Sequence, residues 1–230
     1  KYRLLGIAPV APDVYFIDYE SGAFLANRFF ENQQILDKFS ADATSMKCQF
    51  ILEKTPRHIW HVDYIMSLVP TSKIIITFRN GFHVVASLIK RGYEIDQALT
   101  RYTDDTLLSL RQLDNPRVMP VKYEDFISQP METVDKVFQW IGVKSIKNAL
   151  QFHEVPINWN KFQFSREKNI DFDHDRKRQI QMNSPLNQEI KTWREQLSAK
   201  QIGDIKFAFA ERPNLRLAMQ HLGYTDDAET

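Results

Sequence analysis

The chain has 230 residues, which at about 150 per domain reads as one large domain or one with additions rather than two equal halves. Hydrophobic residues make up 43% and charged residues 26%, so the chain can bury a core and is neither disordered nor fibrous. Thirty Lys and Arg against 29 Asp and Glu leave a formal net charge of +1, which excludes the global basic field behind non-specific nucleic-acid or membrane binding. Any anion must be held locally.

In chain order, the first 48 residues carry a mainly helical pattern, with Phe24, Leu25, Phe29, Phe30, Ile35, Leu36 and Phe39 as apolar positions. Three short apolar runs follow, at residues 49–53, 73–78 and 118–122. Each is too short for a helix and lacks strict alternation, which suits strands buried on both faces. Helix-length segments lie at roughly 57–69, 81–92 and 96–113, with further helices near 131–141, 188–197 and 199–210, while 152–187 reads as mostly irregular. Strand and helix in alternation imply an α/β fold around a parallel sheet, in which ligands collect at the carboxyl ends of the strands.

No internal repeat or Gly/Ser linker breaks the chain, and its one cysteine, Cys48, closes no internal disulfide. No apolar run approaches the roughly 18 to 20 residues of a membrane span, and no Asn-x-Ser/Thr sequon has a permitted middle residue. These features favour a reducing, cytoplasmic address. The chain opens at Lys1 without Met or a signal-like stretch, which reads as an N-terminus trimmed or left out.

Two strand ends carry unusual chemistry. The run from Lys73 to Phe78 enters Arg79-Asn80-Gly81, after which Val84, Val85 and Leu88 give a helix its buried face and Asn80 its N-cap. An arginine beside a helix N-terminus offers a guanidinium fork and free backbone N–H groups, a receptor for phosphate or sulfate. Ser87, two turns into the helix, can share that anion. The bland alternative is an arginine in a structural ion pair and a serine facing solvent. The second end reads Glu53-Lys54-Thr55-Pro56-Arg57-His58, with Pro56 suited to a first helical turn. Glu53 or His58 can take a proton from a hydroxyl and Lys54 can neutralise a leaving group; the alternative is a helix cap flanked by solvated charges. His58 and His61 stand three apart without a carboxylate at ligand spacing, which argues against a metal.

Order and spacing of these segments resemble the PAPS-dependent sulfotransferase family. Glu53-Lys54-Thr55-Pro56 is similar to its Glu-Lys-Thr/Ser-Pro segment, and Val69-Pro70-Thr71-Ser72-Lys73 to its lead-in to an apolar strand. Arg79-Asn80 with Ser87 resembles its signature for the donor's 3′-phosphate. Tyr123-Glu124-Asp125-Phe126, Pro130 and Phe138-Gln139-Trp140-Ile141-Gly142 resemble its Tyr-Glu-Asp-Leu, Pro, Phe-Leu-Gly block; Lys191-Thr192-Trp193-Arg194 and Gly223-Tyr224 resemble segments near its end. The likeness spans about residues 49–224 and departs twice. Gly81 replaces the usual proline, which loosens the loop and adds an N–H. The Gly- and Ser/Thr-containing loop for the donor's 5′-phosphosulfate is not visible, since Ser21-Gly22 follows neither a basic residue nor an evident strand. It is expected upstream of Lys1, omitted or lost.

The resemblance implies a single domain over residues 1–230, N-terminally incomplete, with a three-layer α/β/α, P-loop NTPase-like fold, a central parallel sheet and a helix-rich C-terminal part. It implies sulfuryl transfer from 3′-phosphoadenosine-5′-phosphosulfate (PAPS), leaving 3′,5′-adenosine bisphosphate (PAP), to an acceptor hydroxyl or amine, with no metal and no nucleic-acid partner. Arg79 and Ser87 would hold the 3′-phosphate, Lys54 would reach the sulfuryl oxygens, and Glu53 is first choice for the base with His58 second. Lys191 and Arg194, or the Arg176-Lys177-Arg178 run, would close over the donor. Phe152, Trp159, Phe162, Phe164 and Phe172 would line an acceptor pocket or pin their own loop. Three rivals stand beside this reading: a P-loop phosphotransferase, which lacks its Gly-x-x-x-x-Gly-Lys-Ser/Thr here; a non-catalytic descendant binding a nucleotide or partner; and a helix-rich module with no ligand.

Overall fold

The structure, a computed structural model, describes residues 4–11, 14–19, 50–53, 56–154, 180, 183–186 and 192–224. The chain divides into two compact units, Lys1–Pro70 with Ile146–Asn187, and Thr71–Ser145 with Gln188–Thr230.

The first unit holds a three-stranded sheet in the order β1-β2-β3. Leu4–Ala11 (β1) and Val14–Tyr19 (β2) run antiparallel. Phe50–Glu53 (β3) lies parallel to β2, with Val14 opposite Phe50 and Ile17 opposite Glu53. The helical reading of the N-terminal region is therefore wrong over these two strands. Val14, Tyr15, Phe16 and Ile17 are β-branched or aromatic and lose rotamer freedom in a helix, and Pro-Asp at positions 12 and 13 is a turn signal. Pro9 sits in β1, at the edge of the sheet among the described residues, where a missing ladder donor is tolerated. The apolar positions from Phe24 to Phe39 lie outside the described residues. After β3, Pro56–His61 forms a 3₁₀ turn that leads into Val62–Leu68 (α1), whose Val62 and Met66 are buried one turn apart. The helix expected over 57–69 is present with its first turns tightened. Ala149–Glu154 is another short 3₁₀ segment, and most of the irregular stretch over 152–187 lies outside the described residues.

In the second unit Ile74–Phe78 (β4) and Val118–Lys122 (β5) are parallel, from Ile74 opposite Val118 to Phe78 opposite Lys122. The crossover between them contains Gly81–Lys90 (α2) and Ile95–Leu110 (α3), as the apolar spacing implied. β4 is not buried on both faces within this unit: Ile76 and Phe78 point into the core while Ile75 and Thr77 are exposed. Tyr123–Ser128 (α4) follows β5 directly, and Pro130–Ile141 (α5) ends on Gly142 at φ +85°, a left-handed cap suited to glycine. Lys73 donates to the carbonyl of Trp140 in the last turn of α5 and lies over its indole.

Ala199–Glu211 (α6) carries a Ser198 and Gln201 capping box, and Pro213–His221 (α7) starts on its proline. The helix expected over 188–197 is not found where the structure describes it. Arg194–Gln196 forms only a 3₁₀ turn, and Leu197 is extended ahead of the α6 cap. The core joins Phe82, Val85 and Ala86 of α2 to Leu99 and Tyr102 of α3, Ile205 and Phe209 of α6, and Leu215 and Met219 of α7.

At the start of α2 this packing leaves no room for a side chain. A Cβ on Gly81 would lie 2.7 Å from the Tyr102 ring and 2.8 Å from that of Phe209, and both rings are buried. Gly81 is thus held by close approach, and the loosened loop expected from the missing proline is not what forms. Gly81→Ala should destabilise the chain by about 1–3 kcal/mol, the usual cost of overpacking, read as a lower denaturant midpoint with an unchanged slope.

Candidate functional site

The turn from β4 into α2 is built by its own amides. Asn80 caps α2, its Oδ1 accepting from the Phe82 N–H at 3.0 Å. The Asn80 N–H donates to Glu124 Oε1 at 3.0 Å and the Gly81 N–H to the Met219 sulfur at 3.2 Å. Free N–H groups expected beside Arg79 are therefore absent at Asn80, Gly81 and Phe82. Buried amides must find partners, and here a carboxylate, a thioether and the cap take all three.

What remains for an anion is side-chain chemistry. Arg79 is half-buried, its guanidinium carbon 4.3 Å from the centre of the Tyr123 ring. Its Nε is buried without a hydrogen-bond partner, and among the described residues no carboxylate stands at ion-pair distance. The structural ion pair offered as the bland alternative does not form there. Ser87 falls with Val84 on the half-buried stripe of α2, between the buried positions of that helix. Its hydroxyl has no hydrogen bond among the described residues.

The C-terminal part of this unit reaches the same helix. Trp193 is buried and stacks on Phe82 with ring centres 4.8 Å apart, and Phe82 stacks in turn on Phe209 at 4.3 Å. Arg194 lies over the Trp193 ring at 5.0 Å. The same stack ties the segment that carries Arg194 to Phe82 of α2, whereas Lys191 and Arg176-Lys177-Arg178 lie outside the described residues.

In the first unit Glu53 ends β3 opposite Ile17 of β2. Lys54 and Thr55 lie outside the described residues. His58 is half-buried in the 3₁₀ turn, and His61 is held below its ordinary 6.5, first by burial and then by the charge of His58. Of the aromatics assigned to an acceptor pocket only Phe152 is described, edge-on to His153 at 5.8 Å. Among the described residues no three His, Cys, Asp or Glu are placed to hold a metal ion, and no helix is long and apolar enough to cross a membrane.

The sequence model described as the Sulfotransferase family matches residues 15–147, more than half of the chain. The chain belongs to the sulfotransferase family. Among solved structures it is similar to the sulfotransferase domain from the curacin biosynthetic pathway, with a TM-score of 0.50 at 14% identity, over 83% of this chain and 68% of that one. That likeness shows the α/β fold. None of the curated proteins matches the chain significantly.

Within this sulfotransferase-family chain one earlier expectation changes. The match begins at Tyr15, inside β2, and β2 ends at Tyr19, so Ser21-Gly22 does follow a strand. That strand runs parallel to the one ending in Glu53. Residues 20–49 themselves lie outside the described residues.

Sequence reading also gave no role to Glu124 or Tyr224. Glu124 accepts from the Asn80 N–H on one oxygen and from the Tyr224 hydroxyl on the other at 2.6 Å. Burial first, and then Glu124, push the Tyr224 phenol well above its ordinary 10.0; burial does the same for Tyr102. A proton held more tightly in the folded state gives stability that is whole below the unfolded value and is lost as pH rises through the folded one. Unfolding free energy should therefore fall as pH rises above about 10. Tyr224→Phe, which has no proton to lose, should flatten that fall in denaturant titrations across the alkaline range.

Proposed function

We propose that the chain transfers a sulfuryl group from PAPS to an acceptor bearing a hydroxyl or amine. The observation that carries this reading is the Arg79 guanidinium, stacked on Tyr123 with its Nε buried and unpartnered, at the carboxyl end of a parallel strand. A buried donor without a partner costs free energy, and a phosphate seated there removes that cost. Arg79 and Ser87 hold the donor's 3′-phosphate, and Arg194, with Lys191, closes over the donor. PAPS supplies the activated sulfuryl group. For the chain's own part, Lys54 neutralises the charge left on the phosphate side, and Glu53, or His58 in its place, takes the proton of the acceptor. Ser21-Gly22 is the chain's version of the 5′-phosphosulfate loop.

One feature favours a second reading, a sulfotransferase-like domain that binds nucleotide without transferring. Glu20 stands before Ser21-Gly22, where the family's loop often has Arg or Lys, and a carboxylate there repels the phosphosulfate. Both readings keep the Arg79 subsite, so binding and turnover separate them.

Calorimetric titration should show PAP binding more tightly than AMP. Arg79→Ala should weaken PAP by about tenfold to a hundredfold, the worth of one charge-assisted hydrogen bond, and leave AMP unchanged. Equal affinity for the two nucleotides would sink the donor assignment. PAP binding without sulfuryl transfer from labelled PAPS to any of a panel of hydroxyl and amine acceptors would select the non-catalytic reading.

A further inference from the structure

We infer that Glu124, anchored by Tyr224, is a positioning residue for Arg79: it locks the peptide that follows the arginine, so that the guanidinium is presented in one orientation. The inference rests on the donor reading of Arg79 and adds to it a residue that does not touch the donor.

The geometry points to this because two consecutive residues grip Arg79 from both ends. Tyr123 supplies the ring beneath the guanidinium at 4.3 Å. Glu124, the next residue, accepts from the Asn80 N–H, which belongs to the peptide joining Arg79 to Asn80. Both lie in the first turn of α4, directly after β5, and β5 is paired with β4 up to Phe78 opposite Lys122. The strand pairing therefore delivers Tyr123 and Glu124 beside Arg79 and Asn80. The other carboxylate oxygen of Glu124 is taken by Tyr224, 100 residues further along the chain, which fixes the rotamer of the carboxylate. Tyr224 is itself buried, and the Lys122 ammonium lies over its ring at 5.2 Å.

A carboxylate so close to an anion receptor would work against binding if its role were charge. Its two oxygens are instead spent on a backbone N–H and a phenol, and it makes no ion pair with Arg79 among the described residues. An arginine on a mobile backbone loses conformational entropy when it closes on a phosphate, and clamping the adjoining peptide removes the backbone part of that cost before the ligand arrives. The amide of glutamine can reproduce both bonds, accepting from Asn80 and donating to the Tyr224 oxygen. Alanine reproduces neither, and Tyr224→Phe removes only the anchor.

The test uses the 230-residue chain with Glu124→Ala, Glu124→Gln and Tyr224→Phe. Calorimetry with PAP and with AMP is paired with hydrogen exchange at the Asn80 amide. PAP affinity should fall about tenfold or more in Glu124→Ala, less in Tyr224→Phe and within about threefold of wild type in Glu124→Gln, with AMP affinity level throughout. Asn80 exchange should quicken in the same order. PAP binding unchanged in Glu124→Ala, or PAP and AMP weakened alike in every variant, would overturn the inference. If Glu124→Ala does not fold, Tyr224→Phe against Glu124→Gln decides the matter on the same readouts. Should the wild type itself not prefer PAP to AMP, the donor reading is what fails and the inference falls with it; a wild type that prefers PAP beside a Glu124→Ala variant of unchanged PAP affinity overturns the inference alone.

Discussion

The turn between β4 and α2 passes so close to Tyr102 and Phe209 that only a glycine fits at its centre. Much of the second unit is arranged around that contact. Phe209 comes from α6, Tyr102 from α3, and the Met219 sulfur of α7 accepts from both the Gly81 N–H and the Tyr102 hydroxyl. Side chains from three helices thus converge on the residues that follow Arg79. Such a junction resists small changes in volume, because protein interiors are close-packed and have few rotamers to spare. The Phe82, Trp193 and Phe209 stack extends it to the C-terminal segment that carries Arg194.

This close packing decides how an anion can be received. Helix N-termini ordinarily bind phosphate through their free amides, yet here the first amides of α2 are already committed to Glu124, Met219 and Asn80. The charge of Glu124 also offsets the positive end of the helix. Recognition then falls to the Arg79 fork and the hydroxyl of Ser87, which are better suited to choosing a particular phosphate than to attracting anions in general.

Much of this was legible in the sequence. The apolar runs at 73–78 and 118–122 located the two parallel strands of the second unit because β-branched residues without a helical period have few other options. Asn80 was readable as a cap, and Arg79 as a strand-end arginine. What could not be read was the destination of the amides, since Glu124, Tyr224 and Met219 are brought to the turn only by tertiary packing. The reason for Gly81 was hidden in the same way: its proximity to Tyr102 and Phe209 depends on how α3 and α6 are seated. In the first unit the strands Leu4–Ala11 and Val14–Tyr19 were missed because helical spacing in the following thirty residues dominated the window. The segment before α6 misled for the opposite reason: Trp193 looks like part of an amphipathic helix but is used as a single aromatic plug.

A crystal structure of the chain grown with PAP tests the Arg79 donor site most directly. The 3′-phosphate should lie against the Arg79 guanidinium and within hydrogen-bond reach of the Ser87 hydroxyl, with Glu124 still bridging the Asn80 amide and Tyr224. A 3′-phosphate seated elsewhere, or Arg79 turned away from a bound nucleotide onto a carboxylate, would contradict it.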